Sequence, residues 1–284
     1  LLLLVACSFK PAPPRRDLTA PIAFPQPAPF EKVFVVVLEN TDAEDALAQP
    51  YLRQLADRGA LLSNYSFVAR PSQPNYLALT SGSTHGVSSD RNVALDVRHL
   101  GDLLEAKGRS WKSYAEDYPG DCFLKRRSGR GHYVRKHEPF LSYRNVQSDP
   151  LRCQRVVAAT ELDRDVEAHT LPDFSLFIPN NRNNGHEPSS VAFAAKWLER
   201  TFEGYLQDRD FMAGMLFVVT FDESSTLHTK PIYTVLVGDS VKPGVTDDFP
   251  HSHYSLLRTV EEAFGLGTLG LEDDQAVAIG GVWK

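Results

Sequence analysis

The stretch VFVVVLENTD, residues 33–42, carries the reading of the fold. Val33 to Leu38 form an unbroken apolar run rich in β-branched residues, the pattern of a central strand covered on both faces. It runs straight into Glu39 and Asn40, with Asp42 just beyond. Open α/β sheets gather ligands outside the carboxyl ends of their strands. A carboxylate and an amide at this exit therefore mark a candidate site edge, although the same pair also suits the start of a solvated loop.

Working outward, PYLRQLADRG (50–59) is expected as a helix, with Leu52, Leu55 and Ala56 on one face and Gly59 as its stop. LLSNYSFVA (61–69) returns as a strand, which gives a βαβ start. A helix over HLGDLLEAKG and a strand near SWKSYAE follow. Residues 117 to about 160, rich in Pro, Gly and charge, are expected as an insertion stapled by Cys122 and Cys153. DFSLFIPN (173–180), MLFVVTF (215–221) and PIYTVLVG (231–238) are further strands. SVAFAAKWLERTFEGYL and SLLRTVEEAFGL are amphipathic helices. The alternation predicts an α/β fold, a mostly parallel central sheet sandwiched by helices.

The strand exits share a chemistry. The first ends in Glu39-Asn40, and the second in ARPSQPNY, placing Ser72 and Asn75 at a helix start. The third leads into NRNNGHE, with Asn184 and His186. MLFVVTF ends in Asp222-Glu223. In a parallel sheet these converge on one edge. Carboxylate and carbonyl oxygens suit a hard divalent cation. A hydroxyl beside such a cation can become a nucleophile, and a helix N-terminus favours an anion there. Ser72 is so placed, and a histidine such as His186 can protonate a leaving oxygen. Without its partners, Ser72 would read as a helix cap.

With 284 residues the chain can bury a large core, and a net charge of −6 disfavours nucleic acid as a partner. The basic cluster Lys125, Arg126, Arg127 and Arg130 is a solvated insertion or a landing strip for anionic substrates. At the N-terminus, Leu1 to Ala6 resemble the end of a signal-peptide apolar region. Leu4 to Cys7 match the bacterial lipobox, which makes Cys7 a lipidation site. Residues 10–30 hold seven prolines in 21 positions, so residues 8–30 are expected as an extended linker before a domain over 31–284. Anchor, spacer and domain fit an exported periplasmic or cell-surface lipoprotein, held to the membrane by its N-terminal lipid. In that compartment Cys122 and Cys153 are expected to pair.

Glu39-Asn40, PSQPNYLALTSG, PGDC, YVRKHEPFLSY, IPNNRNNGHE, TFDES and HSHYSLLRTVEEAFGL resemble, in order, the bacterial and fungal phosphoesterase family. That family holds secreted acid phosphatases and phosphatidylcholine-type phospholipases C within the alkaline phosphatase superfamily. The resemblance covers roughly residues 31 to 271. It implies that Ser72 is a nucleophile forming a phosphoserine, and that Glu39, Asn40, Asp222 and Glu223, with the Ser72 oxygen, hold metal. It implies further that Asn75 holds a phosphoryl oxygen and that His137 and His186 lie near the bound phosphate. Two departures stand out. Asn184 occupies a position that is Asp in many relatives, which weakens a ligand role there and leaves it a substrate-binding candidate. Glu223 follows the late-strand Asp where zinc-rich members place His, which argues for one divalent metal ion, with calcium, magnesium or manganese favoured by oxygen ligands.

The function implied is hydrolysis of a phosphoric monoester by an acid phosphatase-type enzyme, on a phosphorylated small molecule or lipid head group. A phospholipase C or other phosphodiesterase uses the same site but is typically much longer. A non-catalytic surface lipoprotein would need no nucleophile. His85, His251 and His253 fall near the matched motifs as caps or backbone partners.

Overall fold

The computed structural model describes residues 21–128, 132–186, 189–225 and 230–284. The lipobox Cys7, most of the expected linker and Arg130 lie outside them. Ten strands occur in chain order: β1 (Lys32–Leu38), β2 (Ala60–Leu62), β3 (Tyr65–Ser66), β4 (Trp111–Ala115), β5 (Val156–Ala158), β6 (Phe174–Ile178), β7 (Met215–Phe221), β8 (Thr234–Val237), β9 (Val245–Asp247) and β10 (His251–Ser252). Eight form one sheet in the order β5-β4-β6-β1-β7-β8-β2-β9, and β3 pairs with β10 in a separate ribbon.

The apolar run at Val33 puts β1 in the middle of this sheet, parallel to β6 on one side and β7 on the other. Its side chains are buried on both faces. Phe34 stacks on Phe217 at 5.4 Å and meets Phe202 of the helix Val191–Gln207 edge-on at 5.7 Å. That helix buries Ala194, Ala195, Trp197, Leu198 and Phe202, the stripe its 3.6-residue period predicts.

The α/β expectation holds, with changes in detail. β8, the PIYTVLVG strand, runs antiparallel to both β7 and β2. The 61–69 segment is two strands, because Ser63 and Asn64 turn away to pair with the 247–251 segment. The Ser63 N–H donates to the Asp247 carbonyl at 2.9 Å, and the His251 N–H to that of Asn64 at 3.1 Å. β2 therefore joins the sheet beside β8, separated from β1 by both β7 and β8, and the simple βαβ start is lost.

Residues 117–160 are not a detachable insertion. They end in β5, which pairs with β4, and they bury Tyr133, Phe140, Leu141 and Tyr143 in the core. Cys122 and Cys153 form a disulfide across this segment, with 5.5 Å between Cα atoms. The linker also ends earlier than residue 30, since Phe24 and Phe30 pack on Trp283 with ring centroids 5.7 and 5.4 Å away. Among the described residues, no helix is long and apolar enough to cross a membrane.

Candidate active site

Strand register brings the first two acids together. Leu38 of β1 pairs with Phe221 of β7, so Glu39 and Asp222 are the next residues on adjacent parallel strands. The ladder continues past both strands, with the Asp222 N–H donating to the Leu38 carbonyl at 2.9 Å and the Thr41 N–H to that of Glu223 at 3.1 Å. Between them Asn40 takes a left-handed backbone (φ 41°), a conformation Asn tolerates better than most residues. This turn aims its N–H at Asp222 Oδ1, 3.0 Å away. The Asn40 amide nitrogen, turned toward the carboxylates, donates to Glu39 Oε2 at 3.1 Å and Asp222 Oδ1 at 3.3 Å. With the amide reversed, three oxygens meet, a donor set that could hold a cation.

Ser72 arrives from elsewhere. It is not at a main-sheet exit but follows the β3 ribbon, as first residue of the helix Ser72–Ser81. All ten residues of that helix are buried. The Ser72 hydroxyl lies 3.1 Å from Glu39 Oε2 and 3.4 Å from Glu223 Oε1. One helical turn later, Tyr76 donates to Glu39 Oε1 at 2.6 Å.

Asn75 does not face the site. Its Oδ1 accepts the N–H groups of Val68 (2.8 Å) and Ala69 (3.0 Å), and its Nδ2 donates to the Ala69 carbonyl at 2.7 Å. Both ends of the amide are used to fold the loop that delivers Ser72, so the expected phosphoryl contact is replaced by a positioning one. Asn184 likewise acts through backbone: its carbonyl accepts the Glu39 N–H at 2.8 Å, while its Oδ1 accepts the His186 N–H at 2.9 Å. Glu116 fixes the same loop, accepting the Asn180 N–H at 3.0 Å and the Asn183 amide at 2.8 Å. Gly185 sits at φ +96°, where a side chain would be strained and its Cβ would meet Ala194 at 3.3 Å.

His137 is fully buried, stacked on Tyr76 at 5.2 Å, with Nε2 3.0 Å from Glu39 Oε1. Burial first, then the neighbouring Lys136, His186 and Arg127 side chains, hold its pKa well below the ordinary histidine value. It is a neutral ring behind Glu39. His186 is half-buried at the end of the 180–186 loop. His253 bridges two elements instead, its ring nitrogens 2.8 Å from the Asp222 carbonyl and 3.3 Å from the Tyr65 hydroxyl. His85 meets the Ser81 hydroxyl at 2.9 Å, and His251 is buried near Asp247.

The carboxylates crowd one another. Burial, only partly offset by Lys136 and by the Tyr76 and Ser72 hydroxyls, pushes Glu39 up to about 7. Burial and the neighbouring Glu39 push Asp222 well above the ordinary carboxylate value. Glu223 rises to about 7 through burial and Asp222, against the Arg70 guanidinium. Asp222 Oδ2 is buried without a partner. Such a set is costly when ionised and unpaired. Among the described residues, no three His, Cys, Asp or Glu side chains are already drawn into a metal cage. The carboxylates are linked through Ser72 and Asn40 instead.

Four contributors were not singled out from the sequence. Tyr76 was within reach of a helical i, i+4 reading from Ser72. Arg70 pairs with Glu223 Oε2 at 2.9 Å and donates to Ser224. Lys136 reaches Ser72 Oγ at 3.4 Å and Asp90 at 2.8 Å. Asp90 sits in an irregular loop whose sequence carries no signal of this contact.

A model of the Phosphoesterase family matches residues 36–267, most of the chain and every residue of this cluster. The chain belongs to the phosphoesterase family. It is 34% identical over 261 residues to a probable acid phosphatase of Kluyveromyces lactis, covering 88% of this chain and 62% of that protein. It is 31% identical over 246 residues to a phosphatidylinositol-3-phosphatase of Mycobacterium tuberculosis, covering 85% and 79%. The chain spans about three fifths of the length of the fungal relatives it matches. The fold is similar to that of a Vibrio parahaemolyticus protein in the alkaline phosphatase superfamily, with TM-score 0.60, 13% identity and coverage of 91% and 72%. It is similar also to the lipoteichoic acid synthase LtaP of Listeria monocytogenes, with TM-score 0.62, 10% identity and coverage of 92% and 80%.

Proposed function

We propose that this phosphoesterase is an exported, metal-dependent phosphoric monoester hydrolase that works through a phosphoserine on Ser72. The observation that carries the reading is the Ser72 hydroxyl held 3.1 Å from Glu39 Oε2 and 3.4 Å from Glu223 Oε1 at the start of a buried helix. A buried helix start needs no hydroxyl ringed by acids for stability. Relatives named acid phosphatase support a monoester substrate, and the one named for a phosphatidylinositol phosphate supports a lipid head group as one form of it.

Glu39, Asn40, Ser72, Asp222 and Glu223 are the residues that would hold a divalent cation. Their oxygen-rich donor set, the partnerless Asp222 Oδ2 and the raised carboxylate pKa values fit one. Such an ion supplies charge neutralisation and a more acidic serine hydroxyl. Arg70 engages Oε2 of Glu223 and leaves its other oxygen facing Ser72. Tyr76 and the Asn184 carbonyl fix Glu39 from its side chain and its backbone. His186 is the candidate donor of a proton to the departing alcohol.

Ser72 Oγ passes its proton to Glu39 Oε2 and bonds to phosphorus as the ester P–O bond breaks, the electron pair leaving on the alcohol oxygen, which takes a proton from His186. Water then gives a proton back to His186 and attacks the same phosphorus, and the P–Oγ bond breaks as Oγ recovers its proton from Glu39, returning the serine. The Cys122–Cys153 disulfide supports an oxidising compartment.

The test is hydrolysis of p-nitrophenyl phosphate against bis(p-nitrophenyl) phosphate, with and without chelator. Preference for the monoester, lost on chelation, is the expected result. Preference for the diester would move the activity to the phosphodiesterase side, and silence on both would leave a binding protein.

A further inference from the structure

We propose that Lys136 is a catalytic residue that donates to Ser72 Oγ, and that Asp90 is the positioning residue that holds it there. The proposal rests on the reading of Ser72 as nucleophile and assigns a second group to the same oxygen.

Ser72 Oγ has one proton to give, and the carboxylate oxygens Glu39 Oε2 and Glu223 Oε1 both lie within its reach. Its lone pairs need a donor. The Lys136 ammonium, 3.4 Å away, comes from a separate element, the short 3-10 turn Arg135–His137. That turn is rigidly held. The Arg135 guanidinium donates to the carbonyls of Leu124 (2.9 Å), Val93 (2.7 Å) and Leu141 (2.7 Å). On its other side, His137 packs on Tyr76 and reaches Glu39. One three-residue turn thus places an ammonium at the serine and a buried imidazole at the acid beside it.

Asp90 ties the cation to the serine's own helix. Its Oδ2 accepts from Lys136 Nζ at 2.8 Å, and its Oδ1 accepts the Gln73 N–H, one residue beyond Ser72, at 3.1 Å. A single carboxylate therefore sets the position of Lys136 relative to the helix start. A plain surface ion pair requires no third partner. Here the third partner is the reacting oxygen.

The chemistry follows from what Oγ does. It is the nucleophile when the serine ester forms and the leaving group when water cleaves it. Negative charge gathers on or next to Oγ in both halves, and a pre-placed ammonium stabilises it in both. Lys136 does not touch the alcohol leaving group on this account, so its contribution is independent of how good that group is.

The experiment compares Lys136→Met, Lys136→Arg, Asp90→Asn and Asp90→Glu with wild-type protein supplied with divalent cation. The readouts are kcat and KM on p-nitrophenyl and phenyl phosphate, orthovanadate binding by calorimetry, and thermal melting. Lys136→Met is expected to lower kcat about a hundredfold on both esters, with a much smaller change in KM and an intact melting transition. Lys136→Arg recovers part of the loss. Vanadate, which seats its own oxygens around Ser72 Oγ, binds Lys136→Met at least about tenfold more weakly. Asp90→Asn shows a smaller loss of kcat that Asp90→Glu partly restores.

Unchanged kcat in Lys136→Met, or a loss confined to phenyl phosphate, overturns the placement of Lys136 on the nucleophile. Tighter vanadate binding in Asp90→Asn overturns the positioning role, since it would make Asp90 a competitor for the anion. Should wild type hydrolyse no monoester, the functional reading fails separately, and equal vanadate affinity in wild type and Lys136→Met then overturns this inference as well.

Discussion

Tyr76 and Ser72 hold the two oxygens of one carboxylate. Tyr76 donates to Glu39 Oε1 at 2.6 Å and Ser72 to Glu39 Oε2 at 3.1 Å, four residues apart on the same helix. The helix thus fixes the acid and the acid fixes the Ser72 hydroxyl. Removing the tyrosine hydroxyl leaves a buried carboxylate oxygen with a poorer environment and frees Glu39 to turn. Tyr76→Phe is expected to lower kcat/KM about tenfold and to weaken divalent-ion affinity about 10- to 100-fold, as loss of an orienting hydrogen bond does elsewhere. Steady-state kinetics with metal titration measures both.

Ser72→Ala removes one small buried hydroxyl and creates little cavity. Its expected effect is a fall in kcat of at least about a thousandfold with the melting transition preserved. Parallel kinetics and calorimetry check both halves of that statement.

A pH effect on stability is expected far from Ser72. Glu261 is buried beside the Asp273 carboxylate, which already accepts the N–H groups of Leu269 (2.6 Å) and Leu271 (2.9 Å). Burial and the Asp273 carboxylate push Glu261 up to about 9, against Arg258. Unfolded, the same group releases its proton near 4.5, its ordinary value. Between these values the folded state binds the extra proton, so stability falls as pH rises from about 4.5 through about 9. Glu261→Gln is expected to flatten that part of the melting-temperature profile. An equally steep decline in the variant would place its cause elsewhere.

Reducing Cys122–Cys153 opens a loop with a sequence separation of 31. The loop-entropy cost is about 3–4 kcal/mol, so reductant is expected to lower the melting temperature by several degrees. An unshifted curve would contradict a stabilising role for the bridge.

The fold was legible where burial is continuous. The β1 and β7 runs are apolar on both faces, and their shared register follows from two parallel strands with acids at matching ends. The helix over 191–207 announced itself through its period. What was hidden depended on polar contacts between distant segments. The break at Ser63-Asn64 is made by partners at Asp247 and His251, nearly two hundred residues on, and no local pattern signals it. At the candidate site, the acids, Asn40 and Ser72 stood out because each lies at an element boundary, and the fold brings them together. Asn75 is ambiguous in sequence, because an amide near Ser72 looks alike whether it faces a ligand or its own loop, and only the fold shows it bonded to that loop. Lys136 stood in the quoted YVRKHEPFLSY, but only folding shows that its side chain and that of His137 reach different members of one cluster.

The most direct test of the central claim is chemical trapping of the intermediate. Protein with divalent cation is mixed with a phosphate monoester, quenched in acid within the turnover time, digested and analysed by mass spectrometry. The account predicts phosphate on the peptide that carries Ser72, absent from the Ser72→Ala variant. Turnover of the monoester with no phosphorylated Ser72, and with Ser72→Ala as active as wild type, would contradict it.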